Sequence, residues 1–200
     1  MIQIFQIIVL VFSAIIHEYM HGFVADRLGD PTAKNAGRLT LNPIPHIDPM
    51  GSILLPALMI FSGTNFIFGW AKPVPINPYN FKDQKYGTAK VSLAGPLGNL
   101  ILALMFGLLM RFFPLSETFQ LFLFYIVYIN LLLMVFNLIP IPPLDGSKIL
   151  ATFLPPRAQE KLYSLERYGL ILVLLFVFFG FSLIVPIINF LFTLITGIRI

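Results

Sequence analysis

The chain has 200 residues, 58% of them hydrophobic and only 11% charged, with a net charge of +4 and no Cys. A soluble domain carries about 25% charged residues, because its surface demands polar groups, so a compact soluble fold is excluded; disorder, coiled coil and a nucleic-acid module built on a basic face are excluded with it. What remains is an all-α polytopic membrane protein with neither disulfides nor thiolate metal sites.

About 20 apolar residues span a bilayer core. Residues 1–24 are apolar from the start, with no basic n-region and no small-residue cleavage site, and predict a retained helix rather than a signal peptide. Residues 25–49 are polar and rich in Pro and Asn. Residues 50–69 are mostly apolar but broken by Pro56, Ser62, Gly63, Thr64 and Asn65, a pattern shared by spans and re-entrant half-helices. Short alternating runs at 38–41 and 69–77 predict extended or hairpin backbone. Residues 91–112 and 119–139 are two further spans, followed by a polar segment, 142–167, that ends in a basic interfacial anchor. No charge lies between Arg167 and Arg199, and Gly180 and Pro186 divide that run. It predicts a fourth span near 168–186, then a second pass or an interfacial helix. The expectation is one integral-membrane domain, 1–200, with four to five transmembrane helices.

The first helix contains His17-Glu18-Tyr19-Met20-His21, an HExxH sequence. On an α-helix, positions i and i+4 share a face about 6 Å apart, so two imidazoles there can share one zinc at about 2.0–2.1 Å each. Glu18 sits about 100° round the helix, within reach of a water at the metal without being a ligand. That is an arrangement for metal-assisted hydrolysis. His17 lies about 24 Å along a bilayer core of about 30 Å, and ionisable groups at such depth are costly unless they serve a function.

A third ligand is needed, and the residues by themselves leave it open. Val24 and Arg27 stand where the extended metzincin pattern wants Gly and His. His46 lies in a Pro-flanked loop, and Asp26, Asp30 and Asp48 read as loop and cap residues. Asp83, Glu160 and Glu166 stand among Lys and Arg, and Glu117 in a short loop. Asp145 follows Pro140, Pro142 and Pro143 in a rigid turn beside Gly146; that turn can present a ligand, or simply end a helix.

HExxH, Phe68 to Pro75, Ala94 to Asn99, and Asn137 to Gly146 together resemble the site-2 protease family of intramembrane zinc metallopeptidases. The likeness runs over about residues 10–150, with four motifs in order, and is greatest to short bacterial members without PDZ or CBS domains. It implies one zinc per chain, held by His17, His21 and Asp145, with Glu18 as catalytic base. It implies that Asn137 assists catalysis, by holding substrate or the developing oxyanion. The substrate it implies is a transmembrane protein cut within or next to its membrane segment, with Lys72–Asn77 receiving the unwound chain as an added strand. The catalytic core is then about 1–150, with a C-terminal membrane segment at about 168–198.

Shared zinc ligands must lie at one depth. His17 is toward the end of its helix and Asp145 just past the end of its own, so the two helices run the same way and 50–69 is re-entrant. Lys and Arg agree independently. With 50–69 re-entrant, eleven of the thirteen basic residues fall on one side, against one or two on the other: Arg111 near its boundary, and Arg199 if the last segment ends there. By the positive-inside rule the N-terminus is outside and the site opens near the cytoplasmic face of the cell membrane. Two other readings use the same residues: an ion or proton relay, which lacks the inverted repeat of transporters, and a catalytically inactive relative, which has no use for Glu18.

Overall fold

In a bilayer the backbone has no partner but itself, so long apolar runs become helices. The computed structural model describes residues 2–61 and 69–200. Helix α1 covers Ile2–Arg27. A short α2 (Thr32–Asn35) follows, then a π-helical turn, Pro49–Leu54, that leads into α3 (Leu55–Phe61). Helices α4 (Gly87–Phe112) and α5 (Glu117–Asn137) form a hairpin, and the Pro-rich turn after α5 opens into α6 (Asp145–Ala151). Helices α7 (Pro156–Ser164), α8 (Gly169–Leu175) and α9 (Phe181–Thr196) join end to end. Among the described residues, four helical runs are long and apolar enough to cross a membrane: α1, α4, α5 and the 41-residue run Pro156–Thr196.

Side-chain pairs give the helix directions. Ser13 and His17 of α1 meet Asn99 of α4, whereas His21 meets Val91, so α1 and α4 are antiparallel. Phe5 meets Phe122 at a ring separation of 4.6 Å, and Ser13 meets Asn130, so α1 and α5 run the same way. The main apolar core, with Leu123, Val127, Leu131, Ile188 and Phe192, lies between α4, α5 and α9. Large apolar side chains such as Ile4, Phe178, Phe179 and Phe190 point outward, a surface suited to lipid rather than water.

Two expectations change. The last apolar run does not turn back for a second pass: Gly180 and Pro186 lie inside one continuous helical run. An internal Pro removes one N–H and crowds the carbonyl a turn earlier, and local π-helical adjustment absorbs this in membranes. Here a π-helical turn, Phe176–Gly180, precedes Pro186, and Ile184, Ile188 and Phe192 pack on the core beyond it. Of the extended or hairpin backbone expected at 38–41 and 69–77, the hairpin alternative is not realised among the described residues. Residues 69–77 run extended, but side chains and single loop carbonyls hold them instead of a ladder.

The ends of the 50–69 stretch meet. Trp70 N–H donates to Gly51 O at 3.2 Å, and the Ser52 hydroxyl donates to Trp70 O at 2.8 Å. A full crossing would part those ends by about 30 Å. The breaks at Ser62, Gly63, Thr64 and Asn65 lie outside the described residues. Gly51 and Trp70 therefore lie side by side, while Arg111 donates to Leu194 O near the ends of α4 and α9.

Candidate metal centre

Three elements converge where α1 nears its end. His17 and His21 project from one face of α1, and Asp145 from the first residue of α6. All three are buried. His17 Nε2 and His21 Nε2 are 3.0 Å apart, and Asp145 Oδ2 lies 3.1 Å from the first and 3.2 Å from the second. Among the described residues this is the one group of three such side chains placed to hold a metal ion.

The hydrogen bonds behind the rings say what the front can do. His21 Nδ1 lies 2.7 Å from Val91 O, a carbonyl that can only accept, so His21 carries its proton on Nδ1. His17 Nδ1 lies 2.7 Å from Asn99 Oδ1 and is likewise the donor. Both Nε2 atoms then present lone pairs to each other and to a carboxylate oxygen. Three acceptors within 3.2 Å with no proton between them call for a cation. Tetrahedral ligands at about 2.0–2.1 Å from zinc are about 3.3–3.4 Å apart, close to what is found. Space is provided as well: a Cβ on Gly95 would lie 2.5 Å from His21 Nε2 and 2.6 Å from His17 Nε2. Donor set, tautomers and space all fit zinc.

Asp145 is placed by its neighbour. A Cβ on Gly146 would come within 2.2 Å of Leu138 O, so only Gly lets α6 start against the end of α5. Glu18 does not join the three ligand atoms. It faces the extended segment, where its carboxylate accepts the Val74 N–H at 2.8 Å. The same segment is tied by Lys72 N–H to His46 O, by Arg38 to Lys72 O, and by Asn77 N–H to Asp30. Asp30 is buried, which would raise its pKa; the Thr32 hydroxyl, the Asn77 N–H, the Asn80 amide and the Thr32 N–H outweigh that and hold it below the usual carboxylate range.

His46 is buried away from the cluster, with Nε2 at 2.9 Å from Thr40 O, and acts as a loop brace. Asp48 caps the turn that follows it. Asn137, half-buried at the end of α5, donates its amide to Leu133 O one turn back, at 2.9 Å. Two partners of the histidines escape sequence reading. Val91 contributes only its carbonyl, so no side chain signals it. Asn99 is visible as a polar residue inside an apolar span, but the helix it faces is a matter of tertiary packing.

A sequence model of peptidase family M50 matches residues 114–183. The chain is 41% identical over 179 residues to "Putative zinc metalloprotease YwhC" of Bacillus subtilis, covering 85% of this chain and 78% of that protein. The chain belongs to peptidase family M50. Similarly named M50 relatives are Rip2 of Mycolicibacterium smegmatis, 35% identical over 163 residues, and MJ0611 of Methanocaldococcus jannaschii, 34% identical over 138. The alignments cover 80% and 68% of this chain, and 61% and 63% of those proteins. No solved structure matches it. This M50 peptidase is a zinc metalloprotease built into a multi-pass membrane protein. The ion or proton relay finds no support in these likenesses.

Proposed function

We propose that His17, His21 and Asp145 hold the zinc, that Glu18 is the general base, and that the enzyme hydrolyses peptide bonds within or next to a membrane-spanning segment of another protein. The observation that carries this reading is the meeting of three buried acceptor atoms within 3.2 Å, with both imidazole protons engaged on the far side of the rings. Zinc bound there supplies Lewis acidity, lowering the pKa of water and polarising a carbonyl oxygen. Glu18 takes the proton from the attacking water and returns it to the leaving amine nitrogen. Its bond to Val74 N–H keeps the carboxylate on the side of the extended segment. Asn137 assists on the substrate side, which requires its amide to leave Leu133 O. Burial of the site keeps bulk water from competing with these groups.

The eleven basic residues at the site end support a cytoplasmic opening in the cell membrane. The catalytic core is residues 1–150, which carry every proposed site residue, with 168–198 as its membrane support.

The test is made on purified protein in detergent and in vesicles. His17→Ala and Asp145→Ala are expected to lose bound zinc, and His46→Ala to keep it. Glu18→Gln is expected to keep zinc and lose cleavage of a reconstituted transmembrane substrate by about 10²–10⁴-fold. Cleavage that survives Glu18→Gln overturns the mechanism, and zinc that survives Asp145→Ala overturns the ligand set.

A further inference from the structure

We propose that Asn99 is a positioning residue for the metal site: through His17 Nδ1 it fixes the tautomer and ring orientation that leave Nε2 free to bind zinc. The inference rests on the reading of His17 as a ligand.

The argument starts from a closed set of hydrogen bonds among three helices. Asn99 and Asn130 are both 0% exposed, and Ser13 is 3% exposed. Asn99 Nδ2 donates to Ser13 O at 3.1 Å and to Asn130 Oδ1 at 2.9 Å. Asn130 Nδ2 donates to the Ser13 hydroxyl oxygen at 2.9 Å and to Ile126 O at 2.8 Å. Every amide N–H of the two asparagines thus has a partner. The orientation of the Asn99 amide is forced, because Ser13 O and Ile126 O can only accept. Rotating the Asn99 amide by half a turn would set its oxygen against Ser13 O, breaking a bond in a place where water cannot replace it. Its Oδ1 is therefore turned to His17, 2.7 Å from Nδ1, and it accepts a proton there.

The two histidines are held by different means. His21 is oriented by the backbone carbonyl of Val91, which no substitution removes. His17 depends on one side chain. Partners behind a metal-binding imidazole set which nitrogen faces the metal, and losing one lowers metal affinity by about 10–100-fold. Asn130 and Ser13 act one step further out: they orient Asn99 and do not touch the ring. A polar knot that merely glued helices together would weaken the fold when cut and leave zinc affinity alone.

The experiment measures zinc affinity by chelator competition and the spectrum of the cobalt-substituted protein, alongside thermal melting. Asn99→Leu is expected to weaken zinc binding by about 10–100-fold and to alter the cobalt spectrum. Asn99→Asp keeps an acceptor on His17 but sets its second oxygen against Ser13 O, so it is expected to lower the melting temperature while binding zinc more tightly than Asn99→Leu. Ser13→Ala is expected to lower the melting temperature with little change in affinity. An Asn99→Leu protein that melts lower yet binds zinc like wild type overturns the proposal. The zinc-loaded wild-type protein decides independently of any variant: histidine ¹⁵N shifts are expected to show His17 bound through Nε2 with its proton on Nδ1, and the reverse assignment overturns it. If His17→Ala itself leaves zinc in place, it is the ligand reading that fails.

Discussion

Cut across the helix axes, the protein has two halves held together by different interactions. In the site half, α1 and α4 touch through Gly95, Asn99, the Val91 carbonyl and two imidazoles, and the loops are tied by Asp30, Arg38 and Glu18. In the far half, α4, α5 and α9 meet through Ala103, Met110, Leu123, Phe192 and Ile195. Directional bonds between buried polar atoms allow one geometry. Apolar packing asks only for the right volume and tolerates adjustment. The chemistry sits where the geometry is specified, and the scaffold where it is not.

The comparison can be broken by overfilling the site half. Gly95→Ala puts a carbon within 2.6 Å of both Nε2 atoms, and is expected to abolish zinc binding and activity while the protein still inserts and melts cooperatively; metal analysis and a melt check this. Gly146→Ala, 2.2 Å from Leu138 O, pushes against backbone and displaces Asp145. A zinc affinity lower by about 10–100-fold is expected, measured by chelator competition. Phe192→Ala sharpens the other side. Phe to Ala in a water-soluble core costs about 3–5 kcal/mol. In a bilayer the separated helices meet lipid rather than water, so less than that is expected, about 1–3 kcal/mol for the lost packing, read as a lower melting temperature with zinc content unchanged. Smallest is the pH effect of Asp30. Its depressed pKa means it stabilises the fold fully above the ordinary carboxylate pKa, and that contribution fades as pH falls through the folded value. Asp30→Asn is expected to melt lower at neutral pH and to lose less on acidification than wild type, as melts at pH 7 and below pH 4 will test.

The far half was largely legible in the sequence, because spans depend on composition alone: 91–112 is α4 from Gly87, and 119–139 is α5 from Glu117. The exception is the last helix, where Gly180 and Pro186 look like breaks to a local reading and neighbouring helices carry the chain past them. In the site half, His17 and His21 were legible because helical spacing puts them on one face. Asp145 was not, since local features allow a plain helix stop; only its resemblance to a family motif singled it out. The parts of Asn99 and Val91 depend on which residue another helix sets opposite them, and no local pattern records that.

The extended segment at 69–77 has one more property. The N–H groups of Trp70, Lys72 and Val74 all turn inward, to Gly51, His46 and Glu18. In extended chain the intervening residues, Ala71, Pro73 and Pro75, face the other way, and two of the three have no N–H to offer. A polypeptide drawn alongside that outer edge finds acceptors for its own amides but, past Ala71, nothing to grip its carbonyls. The edge cannot complete a ladder with a second copy, and past Ala71 it leaves a guest strand's carbonyl oxygens unclaimed.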